Sequence, residues 1–110
     1  MIPIRDFCSS SQIVWRYPCK NFGVTAYMLP KDPELPAVEF PWGSAGDWAA
    51  CVTCSALIED DDWDALAERS LTTSPAYETL EAHMATGEVK RAILKLHKEF
   101  RKYRGRRQKA

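Results

Sequence analysis

The sequence predicts an α+β fold, in which a short N-terminal β-hairpin precedes three to four helices. Two observations support this prediction: residues 12–29 are rich in β-branched and aromatic side chains around a turn, and helix-capping residues recur after residue 46. The chain has 110 residues, of which 45% are hydrophobic and 27% are charged. This length and composition suit a single small domain over residues 1–110.

The predicted hairpin consists of two strand-like segments. Residues 12–17 are β-branched and aromatic, Pro18 begins a short turn, and residues 22–29 resume the strand-like pattern. Prolines and glycines interrupt residues 30–46, so we expect a surface loop there with at most a brief strand at 38–40.

Capping residues mark the first two predicted helices. Asp47 is placed to cap a helix over about residues 48–59, because its side chain can accept a hydrogen bond from an N–H group of the first turn. Asp61 or Asp62 is placed in the same way before a second helix at 63–69. The acidic run is therefore predicted to be a joint between two helices.

Two further helices complete the predicted fold. Ser74 followed by Pro75 predicts the start of a third helix, and Gly87 is predicted to end it. A fourth helix is predicted over about 88–104, where apolar residues recur at steps of four, three, four and three. Residues 105–110 are expected to be a flexible basic tail, since their charged side chains have nothing to bury. The apolar seam of the fourth helix consists of Val89, Ile93, Leu96 and Phe100.

The four cysteines carry the clearest chemical signal. Cys51 and Cys54 are three residues apart, so their thiols face one way on a helical turn, and Cys8 and Cys19 lie upstream. We expect a cytoplasmic chain, because the sequence has no signal-peptide pattern and no apolar run of about 20 residues. Thiols stay reduced in that compartment. We therefore predict a structural zinc ion bound by all four cysteines.

An alternative ligand set remains open. A straight strand over residues 12–17 would separate Cys8 from Cys19 by about 17 Å or more. One of these two cysteines would then leave the site. The fourth ligand would be Asp6, His83, His97 or water.

Five short blocks carry a resemblance to known proteins: residues 6–10, 14–18, 46–51, 54–59 and 96–100. Together they resemble a family of small actinobacterial proteins, found also on phages and other mobile elements, whose function is unknown. The family pattern opens with a Cys-x-x-Cys pair, which implies a ribbon or treble-clef-like zinc site made with the later pair. Here Arg5 stands at the first cysteine position, and Cys19 is an additional cysteine. The resemblance thus implies that Cys19 has replaced the missing ligand, or that the site is weakened or lost.

The formal net charge of zero hides a division along the chain. Residues 1–87 carry 5 Lys/Arg and 13 Asp/Glu, a net charge of −8, whereas residues 88–110 carry 10 and 2, a net charge of +8. Such a basic segment can bind DNA or RNA, or it can fold back onto the acidic residues 59–62, Asp64 and Glu68. The candidate nucleic-acid-binding residues are Lys90, Arg91, Lys95, Lys98, Arg101, Lys102, Arg104, Arg106 and Arg107.

The sequence favours a zinc-stabilised binding protein whose basic C-terminal helix contacts nucleic acid or a nucleic-acid-associated protein. The second hypothesis is an interaction adaptor, in which the apolar seam binds a host protein or another copy of the chain. A thiol redox protein is a minor alternative, because the Cys-x-x-Cys does not follow the first strand of a βαβ unit. We expect no enzyme and no small-molecule substrate, since no catalytic triad or phosphate-binding glycine loop occurs in the sequence. We also expect no membrane contact, because the apolar face of the fourth helix lacks the tryptophan and the breadth usual in membrane-surface helices.

Overall fold

The computed structural model describes residues 2–3, 7–8, 12–44 and 46–110. These residues form a mixed fold of two three-stranded sheets and four helices, which confirms the predicted combination of strands and helices. None of the described helices is both long enough and apolar enough to cross a membrane. The strands are β1 (Ile2–Pro3), β2 (Trp15–Tyr17), β3 (Phe22–Met28), β4 (Val38–Ser44), β5 (Trp48–Ala50) and β6 (Gln108–Lys109). The helices are α1 (Val52–Glu59), α2 (Trp63–Thr73), α3 (Pro75–His83) and α4 (Thr86–Tyr103).

The first sheet has the strand order β1-β4-β3. β3 and β4 pair antiparallel along their whole length, and β1 pairs parallel with the other edge of β4. Alternate residues of β3, Val24, Ala26 and Met28, are buried, while Thr25 and Tyr27 between them are exposed, as the two-residue period of a strand requires. One face of this sheet thus belongs to the core, where β3 packs against α4.

β4 is longer than the brief strand predicted at 38–40. It continues through Pro41, which has no N–H group to donate, as far as Ser44. Thr25 lies opposite this proline, and its carbonyl oxygen accepts a hydrogen bond from Lys95 Nζ of α4. The predicted surface loop is therefore confined to residues 29–37, most of which are exposed.

The predicted hairpin between residues 12–17 and 22–29 does not form, because β2 and β3 belong to different sheets. β2 is the central strand of the second sheet, whose order is β5-β2-β6, and both of its pairings are antiparallel. Cys19 forms an isolated bridge to Arg104 just after β2 ends. The residues read as a hairpin turn are therefore a connection between sheets.

The first helix begins later than the predicted range of 48–59, at Val52. Trp48–Ala50 instead form β5, which pairs with β2 and has no local signal that distinguishes it from a first helical turn. Asp47 consequently does not cap α1 but forms an ion pair with Arg16, with 3.2 Å between Oδ2 and Nε. Cys51 occupies the N-cap position at the junction of β5 and α1.

Local signals locate the later helices more closely. Asp62 caps α2 as predicted, and its Oδ1 accepts a hydrogen bond from a backbone N–H of the first turn at 3.3 Å. Ser74 and Pro75 begin α3, also as predicted. Gly87 lies in the first turn of α4 rather than at the end of α3, because Met84 adopts an extended backbone and ends α3 earlier.

The C-terminal tail is structured, contrary to the prediction of a flexible segment at 105–110. Gln108–Lys109 form β6, which pairs antiparallel with β2. The guanidinium carbon of Arg107 lies 4.0 Å from the centroid of the Trp15 ring, and its Nη1 donates a hydrogen bond to Ser55 Oγ at 2.9 Å. A cation over an aromatic face, together with the pairing to β2, holds this segment in place.

The apolar seam of α4 lies in the core of the protein. Its four residues are each 0% exposed: Val89, Ile93, Leu96 and Phe100. The Phe100 ring centroid is 4.9 Å from that of Phe7 and 4.9 Å from that of Trp48, and α4 packs against both β3 and α2. The seam therefore presents no surface to a host protein or a second copy, and the adaptor hypothesis loses the residues on which it depends.

Candidate metal centre

Cys51 is positioned by the change from strand to helix. It has an extended backbone, with φ −75° and ψ 174°, and its Sγ accepts a hydrogen bond from Cys54 N at 3.4 Å. A thiol thus occupies the N-cap role that serine, threonine, asparagine and aspartate usually fill. The Cys-x-x-Cys spacing then brings Cys54 onto the first turn of α1, on the same side as Cys51.

Three sulfurs converge at this junction. The Sγ atoms of Cys8, Cys51 and Cys54 lie within 4.8 Å of one another, and the distance between Cys8 Sγ and Cys51 Sγ is 3.5 Å. All three residues are buried and are free thiols. A zinc ion with Zn–S distances of about 2.3 Å separates its sulfurs by about 3.8 Å. The group can therefore hold a metal ion with little rearrangement.

Arg69 of α2 completes the surroundings of the sulfurs. Its Nε donates a hydrogen bond to Cys54 Sγ at 3.3 Å, and its Nη2 donates to Cys51 Sγ at 3.6 Å. These two contacts raise the pKa of Arg69 above its ordinary value, so it stays a cation. Three thiolates around a divalent ion carry a net charge of −1, which this guanidinium offsets.

The two cysteines of the Cys-x-x-Cys pair differ in acidity. Burial acts to raise the pKa of Cys51, but the hydrogen bonds from Cys54 N and from Arg69 outweigh it and lower the pKa to about 7. Burial raises the pKa of Cys54 far above its ordinary value, despite the hydrogen bond from Arg69. Burial thus disfavours the thiolate form of Cys54, and a metal ion that binds this sulfur must displace its proton.

Arg69 had no assigned role in the sequence analysis, although the sequence holds a signal that could have found it. It is the only lysine or arginine between Lys31 and Lys90, and it lies in the acidic part of the chain. Its contact with the thiols follows from the packing of α1 against α2.

Cys19, predicted as the fourth ligand, does not belong to the group of converging sulfurs. It is half-buried after β2, where it lines an open groove with Asp47, Tyr103 and Arg104. Burial, followed by the nearby negative charge of Asp47, raises its pKa. Cys19 is bridged to Arg104 after β2 and lies outside the group of sulfurs, which agrees with the alternative in which one of Cys8 and Cys19 leaves the site.

The other candidate ligands do not join the group of sulfurs either. His83 is exposed at the end of α3. His97 is buried on α4, with its ring centroid 5.1 Å from that of Phe7. Asp6 lies outside the described residues. Within the part of the chain that the structure describes, three side chains lie close enough together to hold a metal ion: Cys8, Cys51 and Cys54.

The nine candidate nucleic-acid-binding residues divide into an ion-paired group of four, an exposed row of four along α4, and Arg106. Four of them are ion-paired with the chain's own acidic run. Lys90 Nζ lies 2.9 Å from Asp64 Oδ1 and 2.8 Å from Glu68 Oε1. The other paired cations are Arg101, 3.8 Å from Asp61, and Arg104 and Arg107, 3.6 Å and 3.7 Å from Glu59.

Four other cations form one exposed row along α4, which we call the basic stripe: Arg91, Lys95, Lys98 and Lys102. They follow one another at steps of four, three and four residues, so they share one helical face. Arg91 pairs with Glu88 of the same helix. Among the described residues, Lys98 and Lys102 have no acidic partner, and the same is true of Arg106, which follows the helix.

Comparisons of the chain with protein-family models, with curated proteins and with solved structures find no match.

Proposed function

We propose that the chain is a zinc-stabilised binding protein, in which Cys8, Cys51 and Cys54 hold one zinc ion and the basic stripe contacts nucleic acid. The observation that supports the metal site is the convergence of three buried sulfurs, one of which, Cys8, lies 43 positions before Cys51. Thiolates this close together repel one another, and a bound divalent cation offsets that repulsion.

Zinc is the metal that fits this donor set best. Thiolates favour soft or borderline cations over magnesium or calcium, and zinc accepts a tetrahedral site with three protein ligands. Water is the proposed fourth ligand. Arg69 stabilises the sulfurs from outside the coordination sphere, as hydrogen-bond donors do around other metal ligands. The ion would tie Cys8 to the start of α1.

The first test is metal content. We expect about one zinc ion per purified chain, and we expect Cys54→Ser to lose it, because a hydroxyl is a far weaker ligand for zinc than a thiolate. If zinc is held 1,000-fold above its Kd, its removal by a chelator lowers the free energy of unfolding by about 4 kcal/mol. That loss corresponds to a Tm lower by roughly 15 to 20 °C. Metal analysis and thermal denaturation measure both effects.

Cys19→Ser is the matched control. It makes the same substitution at a half-buried thiol that lies outside the group of sulfurs. It should retain full metal content and show no change in chelator sensitivity. Stoichiometric zinc in Cys54→Ser, or loss of zinc in Cys19→Ser, would contradict the proposed ligand set.

The basic stripe supports nucleic acid as the partner. Its four cations extend over about 16 Å along α4 at 1.5 Å per residue. Arg91 pairs with Glu88 and Lys95 Nζ donates to the Thr25 carbonyl oxygen, which leaves Lys98 and Lys102 as the stripe cations without an acidic partner among the described residues. An extended row of positive charge suits the regular phosphates of a nucleic-acid backbone. Phosphate contacts of this kind bind without strong sequence preference.

The stripe is tested with two double variants that remove the same number of charges. Lys98→Gln with Lys102→Gln neutralises stripe residues, whereas Lys90→Gln with Arg104→Gln neutralises cations that pair internally. Each lost phosphate contact reduces the slope of log affinity against log salt by about 0.9, so the stripe variant should lose about 1.8 from the slope for duplex DNA. Fluorescence anisotropy at several salt concentrations measures the slopes.

The internally paired variant should change this slope much less. Equal losses in the two variants would mean that only overall charge matters, and the stripe would not be an interface. Negligible binding of both DNA and RNA by the unmodified chain at low salt would remove nucleic acid as the partner.

A further inference from the structure

The sulfurs of Cys8 and Cys51 are close enough to react with each other. They are 3.5 Å apart, and a disulfide bond of about 2.0 Å requires them to approach by about 1.5 Å. Rotation of two side chains can supply such a movement. The pair joins residues that are 43 positions apart, so it differs from the Cys-x-x-Cys pair that the redox alternative invokes.

Access and hydrogen bonding favour Cys51 as the sulfur that reacts first. Cys51 and Cys8 are 7% and 6% exposed, whereas Cys54 is 0% exposed. Cys51 Sγ receives hydrogen bonds from Cys54 N at the start of α1 and from Arg69 Nη2, which stabilise negative charge on the sulfur. Cys54 Sγ is covered and held by Arg69 Nε.

We propose that Cys51 and Cys8 form an intramolecular disulfide when a small hydroperoxide reaches the site. The Cys51 thiolate attacks the peroxide, so an S–O bond forms, the O–O bond breaks, and the leaving hydroxide or alkoxide takes up a proton. The Cys8 sulfur then attacks the resulting sulfenic acid, so an S–S bond forms and the S–O bond breaks. The released hydroxide combines with the Cys8 proton to give water, and the peroxide is reduced by two electrons.

This reaction removes two of the three sulfurs that can hold a metal ion. A single remaining thiol, Cys54, cannot retain zinc, so oxidation would release the ion. The release rests on the proposed function, whereas disulfide formation depends only on the positions of Cys8 and Cys51. A thiol reductant would restore the site.

The experiment treats the purified chain with a stoichiometric amount of hydrogen peroxide and maps the cysteines by peptide mass spectrometry. We expect a loss of about 2 Da in the intact monomer and a linked peptide that contains Cys8 and Cys51. Cys54→Ser and Cys19→Ser should form the same link, while Cys51→Ser should not form it. The same treatment in urea should scatter the pairings over all four cysteines, which shows whether the folded geometry selects the product.

Zinc release is followed in the same samples with a colorimetric zinc indicator. If the untreated chain contains no zinc and still forms the Cys8–Cys51 link on oxidation, the disulfide is supported and the zinc proposal is contradicted. Sulfinic acid at Cys51, a Cys51–Cys54 link, or a disulfide between two chains as the main product of the folded protein would overturn the inference.

Discussion

The variant Leu96→Glu should lose cooperative folding. Leu96 is 0% exposed at the centre of α4, which packs against both β3 and α2. A carboxylate at this position either stays charged in an apolar environment or takes up a proton, and both cost more than most small domains can absorb. The milder Leu96→Ala leaves a cavity, and we expect it to lower the free energy of unfolding by about 2–5 kcal/mol. Urea unfolding monitored by tryptophan fluorescence measures both variants.

Lys98→Glu is the control for this prediction, because it introduces the same side chain two residues away on the exposed face of α4. It should fold with a stability within about 0.5 kcal/mol of the unmodified chain. The oligomeric state of Leu96→Glu also shows whether the apolar seam belongs to the core or to an interface. If Leu96→Glu is a folded monomer while the unmodified chain is an oligomer, the seam is an interface and its burial within one chain is wrong.

The protein should also become less stable in acid through His97. This residue is buried, and its Nδ1 and Nε2 have no hydrogen-bond partner among the described residues. Burial lowers its pKa from 6.5 to about 3. Between these two values the unfolded chain binds a proton that the folded chain does not bind, so the stability present above pH 6.5 is lost as the pH falls toward 3. At pH 4.5 the expected loss is about 2.5 kcal/mol relative to pH 7.

His97→Leu isolates this contribution, because every other titrating group is common to both proteins and cancels in the comparison. The free energy of unfolding of the variant should fall by about 2.5 kcal/mol less than that of the unmodified chain between pH 7 and pH 4.5. At pH 7 the variant should be at least as stable, since it no longer buries two unpaired ring nitrogens. Equal losses in the two proteins would mean that His97 is protonated in the folded state or has a partner.

Those parts of the fold that depend on neighbouring residues were predictable from the sequence. Asp62 caps α2 with its own side chain. Ser74 holds the N-cap position of α3 without a side-chain hydrogen bond, and Pro75 supplies a backbone angle suited to the first helical residue. Both signals act within one helical turn. The period of the apolar residues located α4 to within two residues at its start and one at its end. That period could not show whether the seam faces the core or a partner, since both are apolar environments.

The sheets depend on distant pairings, which local patterns do not encode. β2 and β3 each have strand-like composition, so adjacency in sequence suggested a hairpin. β2 instead pairs with β5 and β6, whereas β4 pairs with both β3 and β1. A three-residue strand such as β5 has too few residues to show a period of two.

The candidate metal centre was predictable only in part, because it too brings together distant parts of the chain. Spacing alone related Cys51 to Cys54, and the count of four cysteines made Cys8 and Cys19 equal candidates, whereas the place of Cys19 depended on the direction in which the chain leaves β2. The charge division indicated that the basic segment could fold back onto the acidic run. Which cations do so depended on the packing of α2 against α4.

The second sheet depends on a strand that follows all four described helices in the sequence. Arg16 on β2 donates a hydrogen bond to the side chain of Gln108 on β6, across 92 positions of sequence. During synthesis β2 leaves the ribosome early, but this partner arrives only after all of the helices have been made. Until then, one edge of β2 is open to other strands, and the nascent chain is most exposed to mispairing in that interval.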